Sequence, residues 1–137
     1  MKAEYILLSH GNLSSGMKHT VEMILGETPN LHSIGMQAEE GVDILYKNLN
    51  ELMEQHIGAK FILITDLFGG SVNNKLYEQF QSNPDVEIVT GMNLSLVLEL
   101  LLQTEPIDEN IRFAVHNAKE SILYMKDIVI ENSDDEE

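Results

Sequence analysis

Apolar and polar positions follow a repeated rhythm, in which a short run of strand-forming residues gives way to a segment whose apolar positions recur at helical spacing. The clearest runs are Tyr5-Ile6-Leu7-Leu8, Phe61-Ile62-Leu63-Ile64 and Val86 to Val89, with a weaker one at 30–36. Between them, 15–25 reads as a helix with Met17, Val21, Ile24 and Leu25 on one face and Gly26 as its stop. Segment 41–56 reads as a second, with Val42, Leu45, Leu49, Leu52 and Met53 on its buried side, and 71–81 as a third, closed by the turn signal Asn83-Pro84-Asp85. The stretch 94–102 is apolar nearly all round, which predicts a helix covered on more than one side, by the core or by a second subunit. A last amphipathic helix is predicted near 108–125, then the β-branched run Asp127-Ile128-Val129-Ile130, then an acidic segment, 131–137, that is expected to be disordered.

Strands alternating with helices predict an α/β domain: a doubly wound, mostly parallel four-stranded sheet with helices on both faces, occupying 1–130. In such sheets the carboxyl ends of the strands line one rim, where ligands bind. Two of the runs end there in chemistry, the first at Ser9-His10-Gly11 and the third at Thr65-Asp66 followed by Leu67-Phe68-Gly69-Gly70-Ser71. His10 and Asp66 are therefore expected to face each other.

Composition removes several alternatives. The chain has 137 residues, enough for one self-sufficient core, and no cysteine, so no disulfide framework, thiolate nucleophile or cysteine metal site. A net charge of −15 disfavours nucleic-acid binding, which depends on cationic side chains neutralising phosphates, and favours partners with basic surfaces. No apolar stretch approaches the roughly 20 residues that span a bilayer, and the first residues lack a secretory pattern. A cytoplasmic protein is expected.

An imidazole held by a carboxylate through one ring nitrogen presents the lone pair of the other as a nucleophile. Asp66 would fix that tautomer and stabilise positive charge on a modified ring. The Gly69-Gly70 turn ahead of a helix exposes backbone N–H groups that, with the helix dipole, suit a phosphoryl group, and Ser71 adds a hydroxyl or a cap. Taken singly, each feature has a plainer reading as a turn, a cap or a satisfied polar residue. Asn12, Asn73 and Asn93 fall near the same rim. The remaining histidines, His19, His32, His56 and His116, show no metal-ligand spacing and read as surface or helix-face residues, so neither a metal site nor a cofactor is called for.

Three segments in order, 6–16 (ILLSHGNLSSG), 64–74 (ITDLFGGSVNN) and 90–96 (TGMNLSL), resemble the enzyme IIA domain of the mannose-family sugar phosphotransferase system, and the resemblance covers 1–130. It implies that His10 accepts a phosphoryl group from the histidine-containing phosphocarrier protein and passes it to a histidine of enzyme IIB, with Asp66 pairing the imidazole and Gly69, Gly70 and Ser71 lining the site. It further implies a homodimer in which a C-terminal antiparallel strand, matching 127–130, is exchanged, and contact with the membrane only through the sugar permease subunits. Leu67 stands where the family often has threonine, and Val72 where it often has proline. The absence of an Ala/Pro-rich linker suggests a stand-alone subunit. The alternatives are the related phosphotransferase subunit of dihydroxyacetone kinase, and a non-enzymatic binding or regulatory module in which His10 and Asp66 hold a metal or an anion. Against the last stands the small number of ligands that pattern alone places on the rim.

Overall fold

The structure, a computed structural model, describes residues 2–129. Four strands, β1 (Ala3–His10), β2 (Leu31–Met36), β3 (Lys60–Thr65) and β4 (Val86–Thr90), form one parallel sheet in the order β2-β1-β3-β4. Helix α1 (Leu13–Leu25) joins β1 to β2, α2 (Val42–Glu54) crosses from β2 to β3, and α3 (Ser71–Phe80) joins β3 to β4, with α4 (Leu94–Leu101) and α5 (Asp108–Lys119) following. The chain leaves β1 toward β2 on one side and later places β3 on the other. This reversal opens a crevice between the carboxyl ends of β1 and β3.

The apolar runs are continuous because both faces of the sheet are covered. Tyr5, Leu7, Ile62, Ile64 and Val89 pack on one side against Val21 of α1, Leu96, Val97 and Leu100 of α4, and Ala114 and Ala118 of α5. Ile6, Leu8, Phe61, Leu63 and Val86 pack on the other against Leu45 and Leu49 of α2 and Val72, Leu76 and Phe80 of α3. The two-residue period of a strand thus feeds two separate cores.

The all-apolar stretch packs on the chain's own core. Leu94, Leu98 and Leu101 of α4 are partly buried against the first cluster, and only the following Leu102 is left largely exposed. On α1 the face is Ser14, Met17 and Val21, whereas Ile24 and Leu25, in the last turn before Gly26, stay exposed.

Two C-terminal expectations are corrected. Helix α5 stops at Lys119, not near 125, because the Ser121 hydroxyl donates to the Ala118 carbonyl at 2.6 Å and occupies an acceptor of the last turn. Asp127 closes a single 3-10 turn, Met125–Asp127, with its N–H bonded to the Tyr124 carbonyl, so extended backbone begins at Ile128 and not at Asp127. Ile128 is extended, and Ile130, with the acidic segment 131–137, lies outside the described residues. Among the described residues, no helix is long and apolar enough to cross a membrane.

Candidate active site

His10 is the last residue of β1, and Asp66 directly follows β3. Because β1 and β3 are adjacent and in register, with Leu8 opposite Thr65, the two side chains meet across the mouth of the crevice. The Asp66 Oδ2 accepts from the backbone N–H of His10 at 2.8 Å and lies 2.7 Å from its ring Nδ1, while Oδ1 accepts from the Leu67 N–H at 3.0 Å. The chain turns away from His10 through Gly11, which has φ of 57° and donates to the Met36 carbonyl at 2.8 Å. Gly35 of β2 permits that turn, since a Cβ there would run into the Gly11 carbonyl oxygen.

The electrostatics follow from this clamp. Burial, which leaves the Asp66 side chain 7 % exposed, pushes its carboxyl upward, but the backbone N–H and ring of His10 and the N–H of Leu67 outweigh it and hold the pKa below the ordinary value. An ionised carboxylate only accepts hydrogen bonds, so Nδ1 is the donor to Asp66, and in the neutral ring the lone pair lies on Nε2. The Asp66 contact therefore distinguishes the two ring nitrogens.

Nε2 faces the start of α3. Ser71 Oγ lies 3.4 Å from it, a loose contact that an incoming group displaces easily. Gly70 is the N-cap residue of α3 and has no side chain to bond the first-turn N–H groups, which remain available to an anion. A Cβ on Gly70 would stand 2.9 Å from Leu67 Cδ1 and 3.5 Å from His10 Cε1, so the glycine also keeps the imidazole face open. The Gly69 carbonyl is held by Asn74 Nδ2 at 3.2 Å. Behind the turn, the buried Thr65 hydroxyl bonds Asn73 Oδ1 at 2.9 Å and shares a hydrogen bond with the Thr90 hydroxyl at 2.8 Å, tying β3, α3 and β4 together. An exposed imidazole, a carboxylate held against it and an open helix terminus thus converge within one crevice.

A model of the family described as "PTS system fructose IIA component" (EIIA-man) matches residues 4–119. The chain belongs to this mannose-type enzyme IIA family. It is 35 % identical over 97 residues to the sorbose-specific EIIA component of Lacticaseibacillus casei, covering 71 % of this chain and 70 % of that protein. Among solved structures, a phosphotransferase-system IIA protein associated with the fucose utilization operon of Streptococcus pneumoniae superposes with a TM-score of 0.82 at 31 % identity, covering 92 % of this chain and 95 % of that one. A putative phosphotransferase-system permease from Klebsiella pneumoniae superposes with a TM-score of 0.77 at 36 % identity, covering 93 % of each chain.

In this enzyme IIA the imidazole of His10 is 44 % exposed, and the nearby segments carry the exposed apolar side chains Leu13, Leu67 and Phe68. The three rim asparagines divide by role. Asn73 supports α3 from beneath, and Asn93 caps α4 by accepting from the Leu96 N–H at 3.0 Å. Asn12 is the N-cap residue of α1, where its carbonyl accepts from Gly16 N–H and Ser15 Oγ. Three supports were not singled out from sequence: Asn74, Thr65, and Ser9, whose buried hydroxyl accepts from the Ser14 N–H at 2.8 Å and fixes the entry to α1. Polar residues beside a motif carry a signal only once the register is known.

His19 and His116 are exposed helical residues, as expected. The same reading fails for His32 and His56. His32 sits within β2 and His56 just past α2, both mostly buried and both turned toward the buried carboxylate of Glu4. Linear spacing missed them because three separate elements bring the residues together.

Proposed function

We propose that the chain is the phosphocarrier subunit of a sugar phosphotransferase system, accepting a phosphoryl group on Nε2 of His10 and passing it to a histidine of an enzyme IIB. The observation that carries this reading is the Asp66 clamp on Nδ1 at 2.7 Å, which leaves Nε2 as the free nucleophile before the N-terminus of α3. The donor is a phosphohistidine of the histidine-containing phosphocarrier protein. The His10 lone pair attacks phosphorus, a P–N bond forms as the donor's P–N bond breaks, and the donor imidazole departs with the bonding pair. The ring of phosphorylated His10, protonated at Nδ1, is cationic, and the Asp66 carboxylate stabilises it. Phosphoryl oxygens are received by the first-turn N–H groups of α3 and the Ser71 hydroxyl. The same step in reverse, onto a histidine of enzyme IIB, completes the relay.

Leu13, Leu67 and Phe68 form the apolar surface on which both partners dock in turn. Family membership supports a cytoplasmic location, with membrane contact only through permease subunits, and it supports the sugar-uptake branch over a dihydroxyacetone kinase subunit. The exposed apolar segment Ile122, Leu123, Tyr124, Met125 and Val129 supports a homodimer closed by exchange of the C-terminal strand.

Incubation with phosphoenolpyruvate, enzyme I and the phosphocarrier tests the central claim. Acid-labile label is expected on His10, with none in His10→Ala. Undiminished labelling of that variant, or label chiefly on His19, His32, His56 or His116, refutes it.

A further inference from the structure

At the opposite end of the sheet from His10, Glu4 occupies an unusual place for a carboxylate. It lies in β1, between the buried apolar residues of the central strand, and its side chain is 1 % exposed. A charge in such a position requires partners. The strand period puts Glu4 on the same face as Ile6 and Leu8, and the register of β1 with β2 sets Ile6 beside His32, so Glu4 and His32 emerge toward α2. His56 arrives from just past the end of α2. His32 Nε2 lies 2.7 Å from Glu4 Oε1 and His56 Nδ1 lies 3.7 Å from Oε2, with the two rings at a centroid separation of 5.2 Å. Lys2 Nζ stands 3.5 Å from Oε2 on a side chain that is 70 % exposed and free to swing into water.

We propose that Glu4, His32 and His56 form a binding site for a divalent transition-metal ion of the zinc class. Each residue offers one ligand atom, and the three atoms lie within 4.8 Å of one another. Ligand atoms about 2.0–2.2 Å from a tetrahedral zinc stand roughly 3.3 Å apart, so the Glu4–His32 pair opens slightly and the looser pairs close by side-chain rotation. Two imidazoles and one carboxylate form an open zinc donor set, leaving a fourth position for water or an anion. That position is accessible: His32 lines a surface groove with Lys18, Asn48 and Leu52, and His56 lines another with Lys2 and Gln55. Binding exchanges the proton held between His32 and Glu4 for the metal, and Lys2 withdraws.

The ion would fasten the end of α2 to the central strand β1 and the edge strand β2, which their backbone ladder already joins. Glu4 is six residues from His10 along β1, roughly 20 Å at about 3.3 Å per residue, so the site acts on the fold and not on the phosphoryl group.

Untagged, chelator-treated full-length protein is titrated with Zn²⁺ by calorimetry, and with Co²⁺ by visible absorption. One ion per chain, an intense visible band of low-coordinate cobalt and a rise in Tm with Zn²⁺ are expected. His32→Gln and His56→Gln, each checked for native circular dichroism, should weaken Zn²⁺ binding by more than about tenfold, since loss of an outer-shell partner alone costs that much. His10→Ala should bind Zn²⁺ normally, and His56→Gln should still accept the phosphoryl label. No binding heat and no cobalt band, binding unaffected in both glutamine variants, or binding lost in His10→Ala each overturns the proposal.

Discussion

A single oxygen of Asp66, Oδ2, accepts from both the backbone N–H and the ring Nδ1 of His10, at 2.8 and 2.7 Å. One carboxylate thereby fixes the position of the strand end and the tautomer of the ring that the strand carries. Orientation of a nucleophile by loop residues would leave that ring free to turn. Here the ring is held from the first residue beyond a strand buried from Phe61 to Thr65, and the imidazole inherits the rigidity of the sheet.

Asp66→Asn tests this double role. An amide offers one acceptor oxygen and directs two N–H donors at groups that are themselves donors, so it neither fixes Nδ1–H nor balances a cationic ring. The variant is expected to fold, to lose about 1–3 kcal/mol of stability by urea denaturation, and to accept label from the phosphocarrier about 10²–10⁴-fold more slowly. Wild-type rates in rapid-quench labelling would reduce Asp66 to a structural residue.

Acid titration carries the same logic into pH. The Asp66 carboxyl has a folded-state pKa below its unfolded value, so its contribution to stability is fully present above the unfolded pKa and is lost as pH falls through the depressed folded one. The stability gap between wild type and Asp66→Asn is expected to shrink as pH falls below about 4, near the ordinary aspartate value. Urea melts of both proteins across that range measure it, and most other titrating groups cancel in the difference.

Most of the sheet and the meeting of His10 with Asp66 were legible in the sequence, and for one physical reason. Strands buried on both faces read as unbroken apolar runs, so a polar residue at the end of such a run, as at His10 or Asp66, marks the rim. The helix at Leu94–Leu101 was legible as a helix but not by what covers it, because α5, its cover, is amphipathic and carries no sign of its target. The segment after Lys119 misled for a local reason: the Ser121 hydroxyl bond that ends α5 competes with the helical pattern. The Glu4, His32 and His56 cluster was invisible, since it depends on strand register and on where α2 ends, and a glutamate within an apolar run resembles an ordinary edge residue.

Gly35→Ala probes the framework behind the site. The added Cβ meets a backbone carbonyl, that of Gly11, which has no side-chain freedom with which to yield. Overpacking of this kind typically costs about 1–3 kcal/mol. The displaced residue adjoins His10, so the variant should lose phosphoryl acceptance as well as stability, whereas Gly16→Ala, at a helical position with open space around its would-be Cβ, should lose neither. Parallel melts and labelling assays of the two variants compare the positions directly.

The proposed homodimer is tested at the C-terminal segment. Ile122, Leu123, Tyr124, Met125 and Val129 are all largely exposed in the single chain, and burying side chains of this size is worth about 1.5–3 kcal/mol each. The outer edge of β4 also has no ladder partner among the described residues, as it ends the order β2-β1-β3-β4. In the proposed homodimer a strand supplied by a second copy would satisfy that edge, and twofold symmetry would make the exchange reciprocal. Removing 131–137 takes away only acidic and polar residues, and light scattering should still report a dimer. Ending the chain at Lys126 removes the apolar run 127–130 and should yield monomer at micromolar concentration, with a lower Tm as the apolar segment is left in water. A full-length monomer refutes the dimer, and a dimer that survives the cut at Lys126 refutes the exchanged strand as its lock.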